Sequence, residues 1–179
     1  MKDFTIIASL SKTTFGIGNN GQIPWNIDGD MEFFKRITSS SSTDKKNAVI
    51  MGRKTWESLP NKSRPLHKRV NVVISRDPLI KKKLSMPEPV FVVSSLYSAL
   101  ILLSENNEID KIYVIGGEAI YREAIESYLC SRIYITEILN EVSEMDTFFP
   151  TIPLRYKRTE LSDIIVENNF KYRFTQYDR

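Results

Sequence analysis

The sequence predicts an α/β fold in which residues 1–179 form one domain. A central, mostly parallel sheet of about eight strands carries about four flanking helices, with an antiparallel strand at its C-terminal edge. Three observations predict this. Short apolar, β-branched runs bounded by polar turns recur along the chain. Helical patterns lie between several of these runs, as crossover connections in a parallel sheet require. The tail has two alternating runs with no helix between them, the pattern of an antiparallel pair added at a sheet edge.

Taken in order, Phe4–Leu10 is the first strand, and a glycine-containing loop follows it. Ile27, Met31, Phe34 and Ile37 recur at helical spacing, so Asp28–Thr38 is a helix, with Asp28 suited to cap it. Thr38–Asp44 is a polar surface loop. Ala48–Met51 is a strand, and Gly52 opens a short helix through Ser58. Val70–Ser75 and Val90–Val93 are strands, separated by a lysine run, Lys81–Lys83, that reads as a solvated loop. Leu96–Ser104 is a helix, Lys111–Ile115 a strand, Glu118–Ser127 a helix and Arg132–Ile138 a strand. Arg155–Leu161 and Phe170–Tyr177 are the alternating runs of the tail, joined by a polar stretch containing Asn168-Asn169.

Composition narrows the chemistry. At 41% apolar and 26% charged residues the chain is ordinary for a globular protein, and a net charge of +3 is too small to predict a nucleic-acid partner. No apolar run is long enough to span a membrane, and no signal segment is visible. A single cysteine, Cys130, excludes an internal disulfide and suits packing; the expected location is cytoplasmic. Asn61-Lys62-Ser63 spells a glycosylation sequon that a cytoplasmic chain cannot use. One histidine and one cysteine cannot assemble a zinc site of usual composition, so no metal site is expected. His67 lies in a polar stretch and reads as exposed, which leaves a carboxylate, tyrosine, lysine or cofactor to carry any acid–base step.

Gly16-Ile17-Gly18-Asn19-Asn20-Gly21 spells G-x-G-x-x-G, but a dinucleotide fingerprint must join a strand directly to a helix. Here Ile23-Pro24-Trp25 follows, Pro24 disfavours helical geometry at Ile23, and helical periodicity begins only near Asp28. The segment reads instead as a mobile loop over whatever binds at the end of the first strand.

Asp30 is the sharpest chemical clue. It lies three residues after Ile27 and four before Phe34, on the apolar face of its helix. A carboxylate there is expected to have a raised pKa unless it gains partners. A second reading stays open on this segment alone: an acid in the first turn favours the helix dipole. Trp25 upstream adds a flat wall suited to a planar ligand. Three further turns suit phosphate: Gly52-Arg53-Lys54-Thr55, Ser75-Arg76 and Gly116-Gly117-Glu118-Ala119. In a parallel sheet all three lie at carboxyl ends of strands, where ligands bind.

With these residues in hand, the chain resembles the dihydrofolate reductase family over nearly its whole length. Gly16–Gly18 with Gly21-Gln22-Ile23-Pro24-Trp25 is similar to the family's first active-site loop, and Asp30 with Phe33-Phe34 to its substrate helix. Ile50–Pro60, Arg64-Pro65-Leu66 through Arg69–Arg76, Val114–Gly117 with Ile120-Tyr121, Tyr134–Thr136 and Asp146–Pro150 follow in the family's order. The resemblance implies a single-domain dihydrofolate-reductase-like fold and NADPH-dependent reduction of dihydrofolate, with hydride reaching pteridine C6 and a proton reaching N5.

It also implies roles. Asp30, helped by Thr136, would hold pteridine N3 and the 2-amino group. Ile7, Met31, Phe34, Leu59 and Tyr121 would line the substrate slot, and Arg69 would grip the glutamate α-carboxylate. Ala8, Ile17, Gly18 and Ile115 would flank the nicotinamide. Gly52, Arg53, Lys54, Thr55, Ser75, Arg76, Gly116, Gly117, Glu118, Ala119 and Ile120 would bind the rest of NADPH, with Ser75 and Arg76 on its 2′-phosphate. Trp25 would stand beside a water that delivers the N5 proton, since Asp30 at N3 is too far round the ring. In the family the Gly116–Gly117 bond is cis, and antifolate-type inhibitors are expected to share the substrate's site.

This sequence departs from the family pattern in three places. Two extra residues fall within Ser9–Phe15, Ser94 stands where some vertebrate members have an arginine, and the acid is Asp rather than Glu. The motif wording resembles protist members in which this domain is fused to thymidylate synthase. No synthase sequence is present, so a single-function enzyme and one domain of such a fusion both stand. The rival readings are a related reductase of riboflavin synthesis and a non-catalytic nucleotide- or RNA-binding module.

Overall fold

The structure is a computed structural model and describes residues 1–142 and 144–179. Strand β1 (Phe4–Ser11) buries Phe4, Ile6 and Leu10 on one face and Ile7 on the other, so both sides of the sheet must be covered. Strand β2 (Gly16–Gly18) follows, taking up the first part of the glycine loop. Helix α1 (Asp28–Ser39) buries Asp30, Phe33 and Thr38. Strand β3 (Lys46–Gly52), helix α2 (Arg53–Ser58), strand β4 (Arg69–Ile74) and helix α3 (Ile80–Lys83) come next. Strand β5 (Val90–Val93), helix α4 (Leu96–Glu105), strand β6 (Ile109–Val114), helix α5 (Glu118–Glu126) and strand β7 (Cys130–Ile138) complete the alternating part. The tail adds β8 (Thr147–Phe148), β9 (Lys157–Glu160), β10 (Ile165–Glu167) and β11 (Phe170–Asp178).

The main sheet runs β10-β11-β7-β1-β6-β3-β4-β5, with β9 also paired to β11. The path from β7 to β5 is parallel throughout; β11 runs antiparallel to β7 and carries β9 and β10 antiparallel to itself. One face, with Ile6, Ile50 and Val114, packs on Leu100 and Leu103 of α4 and Ile125 of α5. The other, with Ile7, Val49, Met51 and Val73, packs on Phe33 of α1 and Trp56 of α2. Among the described residues no helix is long and apolar enough to cross a membrane.

Several expectations are corrected. Asp28 does not cap α1: the extended residue before the helix is Ile27, and no side chain of that segment caps it. Glu167 accepts from the N–H groups of Asp28 at 2.7 Å and Gly29 at 3.1 Å instead, so a distant carboxylate fills the role. On the apolar face Phe33 is the buried aromatic, stacked on Phe174 with ring centroids 4.1 Å apart, whereas Met31 is 56% exposed. Lys81–Lys83 belong to α3, anchored by buried Ile80, and are not a loop. The polar stretch in the tail contains β10, which turns into β11 through Asn168 and Asn169, both at positive φ (50° and 65°). The loop read as mobile is partly a strand: Gly16 and Gly18 pair with Phe148 and Thr147. The G-x-G-x-x-G run therefore joins no strand directly to a helix. His67 is exposed and Cys130 fully buried, as the sequence reading has them.

Candidate active site

The site begins where two central strands part. β1 and β6 pair only at Thr5–Tyr113 and Ile6–Val114. Beyond that point the N–H of Ile115 bonds to Ile50 of β3, while β1 continues against β7 as far as Ser11. The Ile7 carbonyl, left without a β6 partner, accepts the Tyr121 hydroxyl at 2.9 Å. A crevice thus opens at the carboxyl end of the sheet between Ile7–Ala8 and Ile115–Gly116, the place where open α/β sheets take ligands.

On one side of this crevice stands Asp30, 9% exposed. Ser9 and Thr136 are directly opposite one another on β1 and β7 and point to the same face. The Trp25 indole N–H donates to Ser9 Oγ at 2.9 Å, which locks the loop residue against the strand. Burial pushes the Asp30 carboxyl above its ordinary range. The neighbouring hydroxyls of Thr136 and Ser9 and the Trp25 indole N–H oppose that rise, and the charge of Glu167 adds to it. An acid so held has a higher affinity for its proton and is fitted to bind an amidine-like or protonated ring edge.

On the other side the ends of β3 and β6 meet. The Gly52 N–H donates to the Gly116 carbonyl at 2.7 Å, and the Gly116–Gly117 bond is cis. Gly116 has φ of 116°, a conformation side chains rarely adopt. A Cβ on Gly117 would come within 3.2 Å of Thr55 Oγ1, and one on Gly52 within 3.4 Å of Ile120. The first helical bond of α5 runs from Tyr121 N–H to the Gly117 carbonyl, so the N–H groups of Glu118, Ala119 and Ile120 lie ahead of the helical ladder. Bare backbone and a hydroxyl at a helix start make a cradle for a pyrophosphate.

The family profile described as Dihydrofolate reductase matches residues 3–179. The chain belongs to the dihydrofolate reductase family. It is 37% identical over 188 residues to the dihydrofolate reductase of Aedes albopictus, covering 100% of this chain and 98% of that protein. It is 43% identical over 170 residues to the bifunctional dihydrofolate reductase-thymidylate synthase of Glycine max, covering 92% of this chain but 32% of that protein. The solved dihydrofolate reductase of Schistosoma mansoni superposes with a TM-score of 0.83 at 39% identity, covering 99% of this chain and 98% of that one.

The residues singled out from sequence are distributed around this crevice and along the sheet. Arg69 stands at the start of β4, its Nη1 donating to Thr38 Oγ1 at 2.8 Å and its guanidinium 5.9 Å from the Phe34 ring centroid. Partial desolvation draws the Arg69 pKa down. Leu59 and Phe34 are half-buried against the core cluster that holds Ile7, Phe33 and Trp56, and Ile17 packs against the opposite core beside Ala8. Lys54 and Arg76 are exposed. Some groups are already committed: Arg53 is paired with Glu57, and Ser75 Oγ accepts from the Asp77 N–H at 3.2 Å. The Glu118 carboxylate receives Arg122 at 2.7 Å and the Phe148 N–H at 2.9 Å, which leaves its backbone as its means of meeting a ligand. Sequence reasoning missed Ser9, which period-two alternation from Ile7 could have placed on the same face. It also missed Lys81, which with Ser75, Arg76 and Ser94 lines a cavity of about 540 Å³ at the ends of β4 and β5.

Proposed function

We propose that this chain reduces dihydrofolate to tetrahydrofolate with NADPH as the hydride donor. One observation carries the reading: a buried carboxyl, Asp30, stands beside the crevice that opens where β1 and β6 separate, with a phosphate cradle on the opposite wall. The pterin ring of the substrate presents N3 and a 2-amino group that match one carboxylate, with Thr136 beside it. Ile7, Phe34, Leu59 and the exposed Met31 offer apolar walls at the mouth, and Arg69 offers a guanidinium for the glutamate carboxylate. Protonated antifolate-type rings would satisfy the same acid.

The chain's residues also fit the cofactor. Gly52, Thr55, Gly117 and the start of α5 suit the pyrophosphate, with Lys54 near the same turn. Ser75 and Arg76 suit a 2′-phosphate; Lys81, paired with Glu88 at 2.7 Å, would have to exchange that carboxylate for the phosphate to compensate for the serine at position 94. Bound there, NADPH supplies the hydride. Asp30 fixes the pterin and polarises it, and Trp25, held on Ser9, shields the ring while a water beside it relays the proton to N5. A cytoplasmic setting accords with the single unpaired, buried thiol of Cys130. Kinship to bifunctional plant proteins makes covalent or non-covalent association with thymidylate synthase a reasonable arrangement.

The test is loss of NADPH absorbance on adding dihydrofolate to the purified chain, with product identified as tetrahydrofolate. No turnover with folded protein would reject the reading, and turnover of a pyrimidine intermediate of riboflavin synthesis instead would favour that rival.

A further inference from the structure

The carboxylate that caps α1 belongs to the terminal hairpin, more than a hundred residues away in sequence. Glu167 Oε1 accepts from Asp28 N–H at 2.7 Å, and Oε2 accepts from Gly29 N–H at 3.1 Å and from the Tyr172 hydroxyl at 3.0 Å. Tyr172 is 2% exposed, so the hairpin is anchored in the core at this contact. Gly29 is what allows the approach, because a Cβ there would collide with the Tyr172 hydroxyl and stand 3.0 Å from Glu167 Oε2. Against the cost of desolvation, the bonds from Gly29, Asp28 and Tyr172 hold Glu167 below the usual carboxylate range, so it is ionised at neutral pH.

We propose that Glu167 is a positioning residue for the reductase reaction: by accepting the Asp28 and Gly29 N–H groups it seats the first turn of α1, and so Asp30, and it fixes a negative charge at that helix end. The proposal rests on Asp30 being the active-site acid. The groups facing Asp30 are Ser9 of β1, Trp25 of the preceding loop, Tyr121 of α5, Thr136 of β7, and Glu167 and Tyr172 of the hairpin. The two tyrosines have pKa values pushed well up by burial, Tyr172 to about 12, so both are neutral at physiological pH. Glu167 is therefore the ionised group that comes to Asp30 from another element, Asp28 and Glu32 lying on the same helix as Asp30. It lies at the end of α1 where an anion also stabilises the helix, so one carboxylate serves both geometry and electrostatics.

Three variants separate these roles. Glu167→Gln keeps the shape and removes the charge; Glu167→Asp keeps the charge and shortens the cap; Gly29→Ala forces the hairpin off the helix. Each is followed by carbon NMR titration of the Asp30 carboxyl, assigned with Asp30→Asn, and by the pH profile of turnover. The expected result is that Glu167→Gln and Gly29→Ala lower the Asp30 midpoint, with turnover on the alkaline side reduced about threefold or more. Glu167→Asp should retain the wild-type midpoint while losing thermal stability. Superposable titrations in wild type, Glu167→Gln and Gly29→Ala would overturn the proposal, as would equal shifts in the Gln and Asp variants. Should the wild type fail to reduce dihydrofolate, the functional reading falls, and the titration still decides whether Glu167 governs Asp30.

Discussion

Asp30 answers two opposed demands. Its folded-state pKa is raised, chiefly by burial, above the value near 3.8 that it has when unfolded. Between those two values the folded chain binds a proton that the unfolded chain has released, so stability falls as pH rises through that window. Asp30→Asn should therefore unfold at a higher temperature than wild type at neutral pH, with the gain vanishing below the ordinary carboxylate range. The same change should cut kcat/KM for dihydrofolate by roughly a hundredfold or more, since an electrostatic partner is lost where charge develops. NADPH binding should stay within a few-fold. Calorimetry over a pH series and steady-state kinetics check the two halves; a variant that is both less stable and fully active would contradict them. At the cofactor's far end, Arg76→Ala should reduce the NADPH-over-NADH preference by roughly tenfold, the worth of one charge-assisted bond. Equal preference ratios before and after would remove Arg76 from that role. Asp30 was legible in sequence because its spacing from Ile27 and Phe34 is local. Ser9 and Lys81 were not, because what they face is decided by neighbouring strands and by the turn that α3 makes.

The elements were legible wherever hydrophobic period and length agreed, as in α4, whose Ser95 side chain accepts from the Ser98 N–H at 3.0 Å. They failed where a partner outside the element decides. Asp28 has a cap-forming side chain, but Glu167 already occupies the helix end. Strand β10 is three residues long and reads as polar linker, because its identity comes from pairing with β11 rather than from its own pattern. Its turn offers a direct test. Asn168 and Asn169 are both in the left-handed region, which asparagine tolerates and β-branched residues do not. Asn169→Gly should leave stability unchanged or raise it slightly, and Asn169→Val should cost about 1–2 kcal/mol. Thermal unfolding measures both; a Val variant as stable as the Gly variant would mean that the turn had another geometry.

For the molecule as a whole, the antiparallel edge is fastened by charge as well as by backbone bonding. Glu137 of β7 has its carboxylate 5% exposed and 2.8 Å from Arg158 and 2.9 Å from Arg173, with Lys12 at 3.7 Å. Burial alone would raise its pKa, but the guanidiniums of Arg158 and Arg173 outweigh this and hold it low. A depressed folded-state value adds stability above the unfolded 4.5 and loses it as pH falls through the folded value. Glu137→Gln should thus destabilise the protein at neutral pH by about 1–3 kcal/mol, with the difference closing in acid. A constant difference at every pH would show that packing, not charge, is at work. The strand order itself could not be read from sequence. Nothing local to Ile109–Val114 says that it slots between β1 and β3, and that insertion is what opens the crevice.

The same insertion makes β1 an early strand with late neighbours. Its partners on both sides, β6 and β7, are translated long after it, and the Tyr121 hydroxyl closes on Ile7 across 114 residues. During synthesis the apolar stretch from Phe4 to Leu10 must wait unpaired while most of the chain emerges. Such long-range pairing slows folding and exposes a nascent strand to aggregation. The architecture that creates a binding crevice at the centre of the finished sheet therefore also makes that centre late to close, and refolding yield should fall as protein concentration rises.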